Sequence, residues 1–212
     1  MSKSLNYVAL GDSLTVGSGA GLSRGFVKRY ASLSERTLNN RILVAIFAKN
    51  GMRSKELVAL IKTDTYVRKK IANANMITIT IGGMDLLDTN RLIHKSSNFQ
   101  LFQGTIDNVY HNLKIILAEI QSLKTKYVSP YFIRIIGVYN PYPNLHYSNY
   151  WVNQFNNKVR SLCNNKLVHF VDISPIFRYR PELLSIDRLH PNRTGYRYIA
   201  DQVAAAGYYP FT

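Results

Sequence analysis

Cysteine occurs once, as Cys163, so the chain can form no internal disulfide and build no cysteine metal cluster. A reducing compartment is compatible with that. Negative charge is also scarce. Twelve Asp and Glu stand against 27 Lys and Arg, a formal net charge of +15, which favours anionic partners such as nucleic acid, acidic lipid or a polyanionic matrix. Long apolar runs are missing: no window approaches the ~20 apolar residues of a membrane span. The opening Met1–Leu10 lacks the longer apolar region and small-residue cleavage site of a secretory signal. No repeat, low-complexity block or Pro/Gly/Ser-rich linker divides the sequence. The expectation is a soluble chain without a transmembrane segment, forming one domain over residues 1–212.

What is present reads as a folded core, with 46% apolar and 18% charged residues in 212. Short apolar runs predict strands at Asn6–Leu10, Ile42–Phe47, Met76–Ile81, Phe132–Val138 and Leu167–Val171. They are rich in β-branched and aromatic residues, and most are apolar on both faces, as in a sheet covered on both sides. Between them, helical spacing predicts Gly25–Leu38, Ser54–Lys62, Thr105–Leu123, Tyr147–Cys163 and Asn192–Ala206. The alternation describes a three-layer α/β/α domain with a mostly parallel five-stranded sheet. Ligands of such sheets bind beyond the carboxyl ends of the strands, so those ends are where chemistry is sought.

The first strand runs into Gly11-Asp12-Ser13-Leu14. A serine at this strand end would have an exposed hydroxyl and a free backbone N–H, both of which a nucleophile needs. Serine at such a junction also simply caps helices. Asp12, adjacent on an extended segment, points away from Ser13 and reads as a turn residue accepting backbone N–H bonds. A serine nucleophile needs a base, and the base an orienting acid. Five histidines are available. His111 falls on the surface of a long helix and His169 in a strand. His94 and His146 fall in loops, without a nearby carboxylate in sequence. His190 differs: Asp187 precedes it by three residues and Pro191 follows, placing it at a loop-to-helix junction. A turn of that length can bring the carboxylate to Nδ1 and leave Nε2 free, although a capping histidine with a surface aspartate fits the same spacing.

Taken together, these segments resemble the GDSL family of SGNH hydrolases, and within it the signal-less spore-germination lipase type of bacilli. Gly11-Asp12-Ser13-Leu14 is similar to its first block and Asn50-Gly51 to its second. Ile81-Gly82-Gly83-Met84-Asp85 resembles the third, and Asp187-Arg188-Leu189-His190 the fifth. The resemblance spans essentially the whole chain. It implies a flavodoxin-like fold and ester hydrolysis without metal or cofactor, in a cytoplasmic or spore-associated setting. It also implies Ser13 as nucleophile, His190 as general base and Asp187 as its orienter, with the Ser13 and Gly51 N–H groups as oxyanion donors. The family's third donor is an asparagine, whose position here holds Met84. Methionine has no donor, and one oxyanion donor is typically worth ~10²–10³ in turnover. Three readings stay open: a weak or specialised esterase, replacement of the amide by Asn50 or Asn140, or a degenerate hydrolase that only binds. Asp85 reads as structural, tying down the loop after the third strand.

The loop Tyr139–Tyr147 follows the fourth strand, where substrate binds in this architecture. Tyr139, Asn140 and Tyr142 are its candidate substrate contacts, and two prolines stiffen it. Arg91–Gln103, with Leu92, Ile93, Phe99, Leu101 and Phe102, is the second candidate rim. Together they suggest an entry for acyl esters or lipids, whereas polar walls would favour a carbohydrate O-deacetylase; a thioesterase is the other alternative within the fold. The cations are dispersed: Arg24/Lys28/Arg29, Arg68/Lys69/Lys70, Lys124/Lys126, Arg178/Arg180 and Arg188/Arg193/Arg197. No contiguous run or motif points to nucleic acid. Anionic phospholipid or spore-coat material is the sharper partner expectation.

Overall fold

The computed structural model describes residues 4–22, 25–96, 98–125, 129–163 and 166–212; Arg24 and Lys126, counted above among the cations, lie outside them. Strands β1 (Ser4–Gly11), β2 (Arg41–Ala48), β3 (Met76–Thr80), β4 (Phe132–Ile136) and β5 (Val168–Val171) form one sheet in the order β2-β1-β3-β4-β5. Every pairing is parallel. This is the flavodoxin-like strand order, whose switch point lies between β1 and β3. Gly11 pairs with Ala48 on one side and Thr80 on the other, so three strand ends finish level at that point.

Alternation along each strand sorts side chains to two faces. Val8, Leu10, Ile77, Ile79, Ile133 and Ile135 face one helical layer. It contains α3 (Ser54–Thr63), α4 (Thr65–Ala72), α6 (Gln100–Lys124) and α7 (Ser148–Arg160). The α6 stripe Ile106, Val109, Leu113, Ile116 and Ile120 is almost wholly buried there. Tyr7, Ala9, Phe132 and Ile136 face α2 (Phe26–Leu38) and α9 (Arg193–Ala205), meeting Tyr30, Phe26, Tyr196 and Ile199. The remaining helices are α1 (Ser13–Val16), α5 (Gly83–Ser96) and α8 (Ser174–Phe177).

Several expectations are corrected. His94 belongs to α5, not to a loop, and most of the Arg91–Gln103 segment is helical, in α5 and α6. Helices α1, α4, α5 and α8 are additional to the five expected. Edge strand β2 is not covered on both sides: Leu43, Val44 and Ile46 are exposed at this margin of the sheet. Strand β4 contains a fully buried cation, Arg134. Its Nη2 donates to the Gly207 carbonyl at 2.8 Å, and its guanidinium lies 4.2 Å from the Phe132 ring centre. Carbonyl acceptors and an aromatic face replace part of the water that it loses, while its Nε finds no acceptor among the described residues.

Candidate active site

At the end of β1 the backbone turns at Gly11, with φ +140°. The Asp12 N–H then donates to the Thr80 carbonyl at 3.0 Å. The Asp12 carboxylate accepts from the Leu14 N–H (3.1 Å) and the Thr80 hydroxyl (2.8 Å). It thereby caps α1 and stitches β1 to β3, so the expected turn role extends across the sheet. Burial pushes its carboxyl up to about 6, opposed by those two hydrogen bonds. Ser13 is the first residue of α1, with its side chain left free by the Asp12 cap.

Asp187 and His190 occupy the tip of a small hairpin. An isolated bridge joins Leu184 to Pro191, and the Ser185 N–H donates to the His190 carbonyl at 2.8 Å. One Asp187 oxygen accepts from the Ser185 hydroxyl (2.7 Å) and from the Leu189 and His190 N–H groups (2.9 Å each). The other lies 2.6 Å from His190 Nδ1. Partial burial opposes ionisation, yet the His190 N–H and imidazole, with the Ser185 hydroxyl, hold this carboxyl well below the usual carboxylate range. A carboxylate there places the ring proton on Nδ1 and leaves Nε2 as acceptor. Nε2 lies 2.9 Å from Ser13 Oγ. The geometry therefore brings Ser13, His190 and Asp187 into one hydrogen-bonded chain across 177 residues of sequence.

Backbone N–H groups of Ser13 and Gly51 find no protein acceptor among the described residues. Gly51 holds φ +71° in the turn after β2. Met84 sits in the first turn of α5, and its sulfur would lie 3.9 Å from a Cβ placed on Gly51. Of the two amides considered as substitutes, Asn140 is committed elsewhere. Its Nδ2 donates to Ser148 Oγ (2.9 Å) and Asn149 Oδ1 (2.7 Å). Asn50 has only its oxygen engaged, by the Ser18 hydroxyl at 2.7 Å; its Nδ2 has no acceptor among the described residues, and the residue lines the same cavity. Asp85 does tie elements together, within α5 rather than a loop. Its carboxylate accepts from the Ser54 N–H (3.0 Å) and hydroxyl (2.8 Å), anchoring the start of α3.

Ser13 and His190 open on a cavity of about 380 Å³. Leu14, Ile81, Met84, Phe102, Trp151 and Val152 contribute its apolar lining. Tyr139, Asn140 and Tyr142 all border it, but they differ in kind. Tyr139 is buried, stacks on Phe177 with ring centres 4.0 Å apart and donates its hydroxyl to the Leu189 carbonyl. It thus holds the hairpin in place as well as presenting a wall. Tyr142 is exposed at the rim. Among the described residues of the second expected rim, Phe102 alone lines the cavity; Leu92 and Leu101 are exposed and Ile93 is buried. Leu86, Trp151 and Val152 were not foreseen. The single tryptophan was a usable signal, since it sits on a helix directly after the Tyr139–Tyr147 loop.

The family model described as GDSL-like lipase/acylhydrolase matches residues 9–198. A spore germination lipase, LipC, of Bacillus licheniformis is 34% identical over 96% of this chain and 97% of its own length. A lipase from a goat rumen metagenome, known as a crystal structure, is 33% identical with a TM-score of 0.94, covering 98% of this chain and all of that one. An acetyl-xylooligosaccharide esterase of Geobacillus shares the fold at 19% identity and a TM-score of 0.73, covering 97% of this chain and 94% of that one.

Proposed function

The chain belongs to the GDSL-like lipase/acylhydrolase family, and from that premise we propose that it cleaves carboxylic esters of apolar acyl chains through an acyl-serine. Ser13 Oγ attacks the ester carbonyl as His190 Nε2 takes its proton. Asp187 holds the imidazole tautomer and stabilises the imidazolium. The Ser13 and Gly51 N–H groups receive the developing oxyanion. The alcohol leaves with the proton from imidazolium. Water, deprotonated by the same imidazole, then releases the acid and restores the serine. The observation that carries this reading is the contact chain of 2.6 and 2.9 Å ending on Ser13 at the cavity mouth. The apolar wall of Ile81, Phe102, Trp151 and Val152 favours an acyl group over a sugar. An acyl-lipid substrate follows, and the name of the Bacillus licheniformis relative suggests the spore as the setting.

A fluorophosphonate probe is the direct test. The expected result is one phosphonylated residue, Ser13, found by peptide mass spectrometry. Failure to label the folded protein, or labelling elsewhere, would remove the mechanism and leave a binding protein on a hydrolase scaffold.

Met84 supplies a second test. If the oxyanion site lacks a donor, Met84→Asn should raise kcat on a short-chain ester by about 10²-fold. An unchanged rate would mean that Asn50, whose amide is unengaged, already supplies the third hydrogen bond.

A further inference from the structure

Two large aliphatic side chains stand wholly in water: Leu22 at 111% and Ile186 at 103% relative exposure. A lone surface aliphatic is ordinary. These two crown loops that touch each other beside one cavity mouth. Ile186 lies at the tip of the hairpin carrying Asp187 and His190, closed below it by the Ser185–His190 hydrogen bond. The loop after α1 is seated on that hairpin at Gly19, where an added Cβ would come within 2.7 Å of the Pro191 carbonyl oxygen and 2.8 Å of His190 Cβ. Leu22 follows three residues later, so its Cα lies within roughly 11 Å of that seat.

Charge identifies the occupant. Arg188 shares the hairpin tip with Ile186, and Arg193 begins α9 just beyond His190; both are exposed. Neither side chain has a partner among the described residues. Residues 178–197 hold five arginines against Glu182 and Asp187. Glu182 is paired with Arg180 at 3.0 Å, and Asp187 is taken by His190. Bare aliphatics flanked by unpaired cations match an anionic lipid surface: acyl chains receive the first and headgroup phosphates the second. A second copy of this chain would set +15 against +15.

We propose that this face docks on an anionic phospholipid bilayer, with Leu22 and Ile186 entering the acyl boundary and Arg188 and Arg193 meeting the phosphates. The cavity then opens toward the lipid. Only the purpose of this docking rests on the ester-hydrolase reading; binding does not.

The test uses Ser13→Ala protein, so that vesicles are not consumed, sedimented with phosphatidylcholine vesicles alone or mixed with phosphatidylglycerol. Binding is expected to the mixed vesicles and to be weak on phosphatidylcholine. The double substitution Leu22→Ser with Ile186→Ser should weaken partitioning by roughly tenfold or more. Arg188→Ser with Arg193→Ser should weaken it at low salt, and high salt should erase that difference. In the Ser13 background, both pairs should keep turnover of a monomeric short-chain ester near the parent's. Val44→Ser with Ile46→Ser, which share one face of β2, is the control apolar surface. The proposal is overturned if the parent ignores phosphatidylglycerol, if the Leu22/Ile186 pair binds like the parent, or if only the β2 pair loses binding. It is also overturned by self-association without lipid that the Leu22/Ile186 pair abolishes. Failure of the hydrolase reading would instead leave vesicle binding intact, with Ser13→Ala as active as the parent on the short ester.

Discussion

Replacing Ser13 by alanine should lower the rate of ester cleavage by about 10⁴- to 10⁶-fold, the range expected when a nucleophile is removed from a serine–histidine–aspartate set. The fold should hardly notice. Asp12, not Ser13, caps α1, and alanine is a good residue at a first helical position. The hairpin also keeps its own hydrogen bonds, because Asp187 is fixed by Ser185, Leu189 and His190. Initial rates on a short p-nitrophenyl ester, with a urea melt of the same sample, check both halves. A variant with parental turnover would place the nucleophile elsewhere; one that is merely unstable would say nothing about chemistry, and the melt tells these apart.

Gly11→Ala should be the most damaging substitution to the scaffold. An added Cβ would stand 2.0 Å from the Thr80 carbonyl oxygen and 2.6 Å from its hydroxyl, at a backbone φ of +140°. Backbone cannot yield there without parting β1 from β3. The same Thr80 accepts the Asp12 N–H and donates to the Asp12 carboxylate, so displacement also unseats the turn that presents Ser13. The expected loss is about 4 kcal/mol or more, read as a lower urea midpoint with an unchanged slope. Gly21→Ala is the comparison. It too has positive φ, at +60°, but nothing lies within 4 Å of the new Cβ. Strain alone should then cost only about 1–2 kcal/mol. Equal midpoints for the two variants would show that the Thr80 clash relaxes cheaply.

The readable parts of the sequence were those governed by local rules. Strand ends marked by Gly11, Gly51 and Gly82, the α6 stripe, and the three-residue step from Asp187 to His190 all state themselves within a few positions. The family model matching residues 9–198 agrees with the family resemblance that these segments carry. Other features depend on what packs against what. Helix α4 hides because its first turn is Thr65-Tyr66-Val67, a β-like string, despite the Asp64 cap that accepts the Tyr66 and Val67 N–H groups. Helix α5 hides because it opens on glycine and carries Thr89 and Asn90, all modest helix formers. Arg134 sat in an apolar run, and the carbonyl of Gly207, 73 positions away, is a partner that the run does not announce. The cavity wall combines Leu86, Phe102 and Trp151 from three helices, a meeting that no periodicity within one helix announces. Tyr139 shows the limit most clearly: proximity to the site was legible, but its grip on the Leu189 carbonyl was not.

The hairpin closed between Leu184 and Pro191 has one more implication. It makes the acid and base a prefabricated cassette, yet the ribosome makes that cassette 177 positions after the alcohol it must activate. On the proposed relay, a nascent or truncated chain carries a serine with nothing to ignite it. That relay is armed only after both segments have been made and brought together.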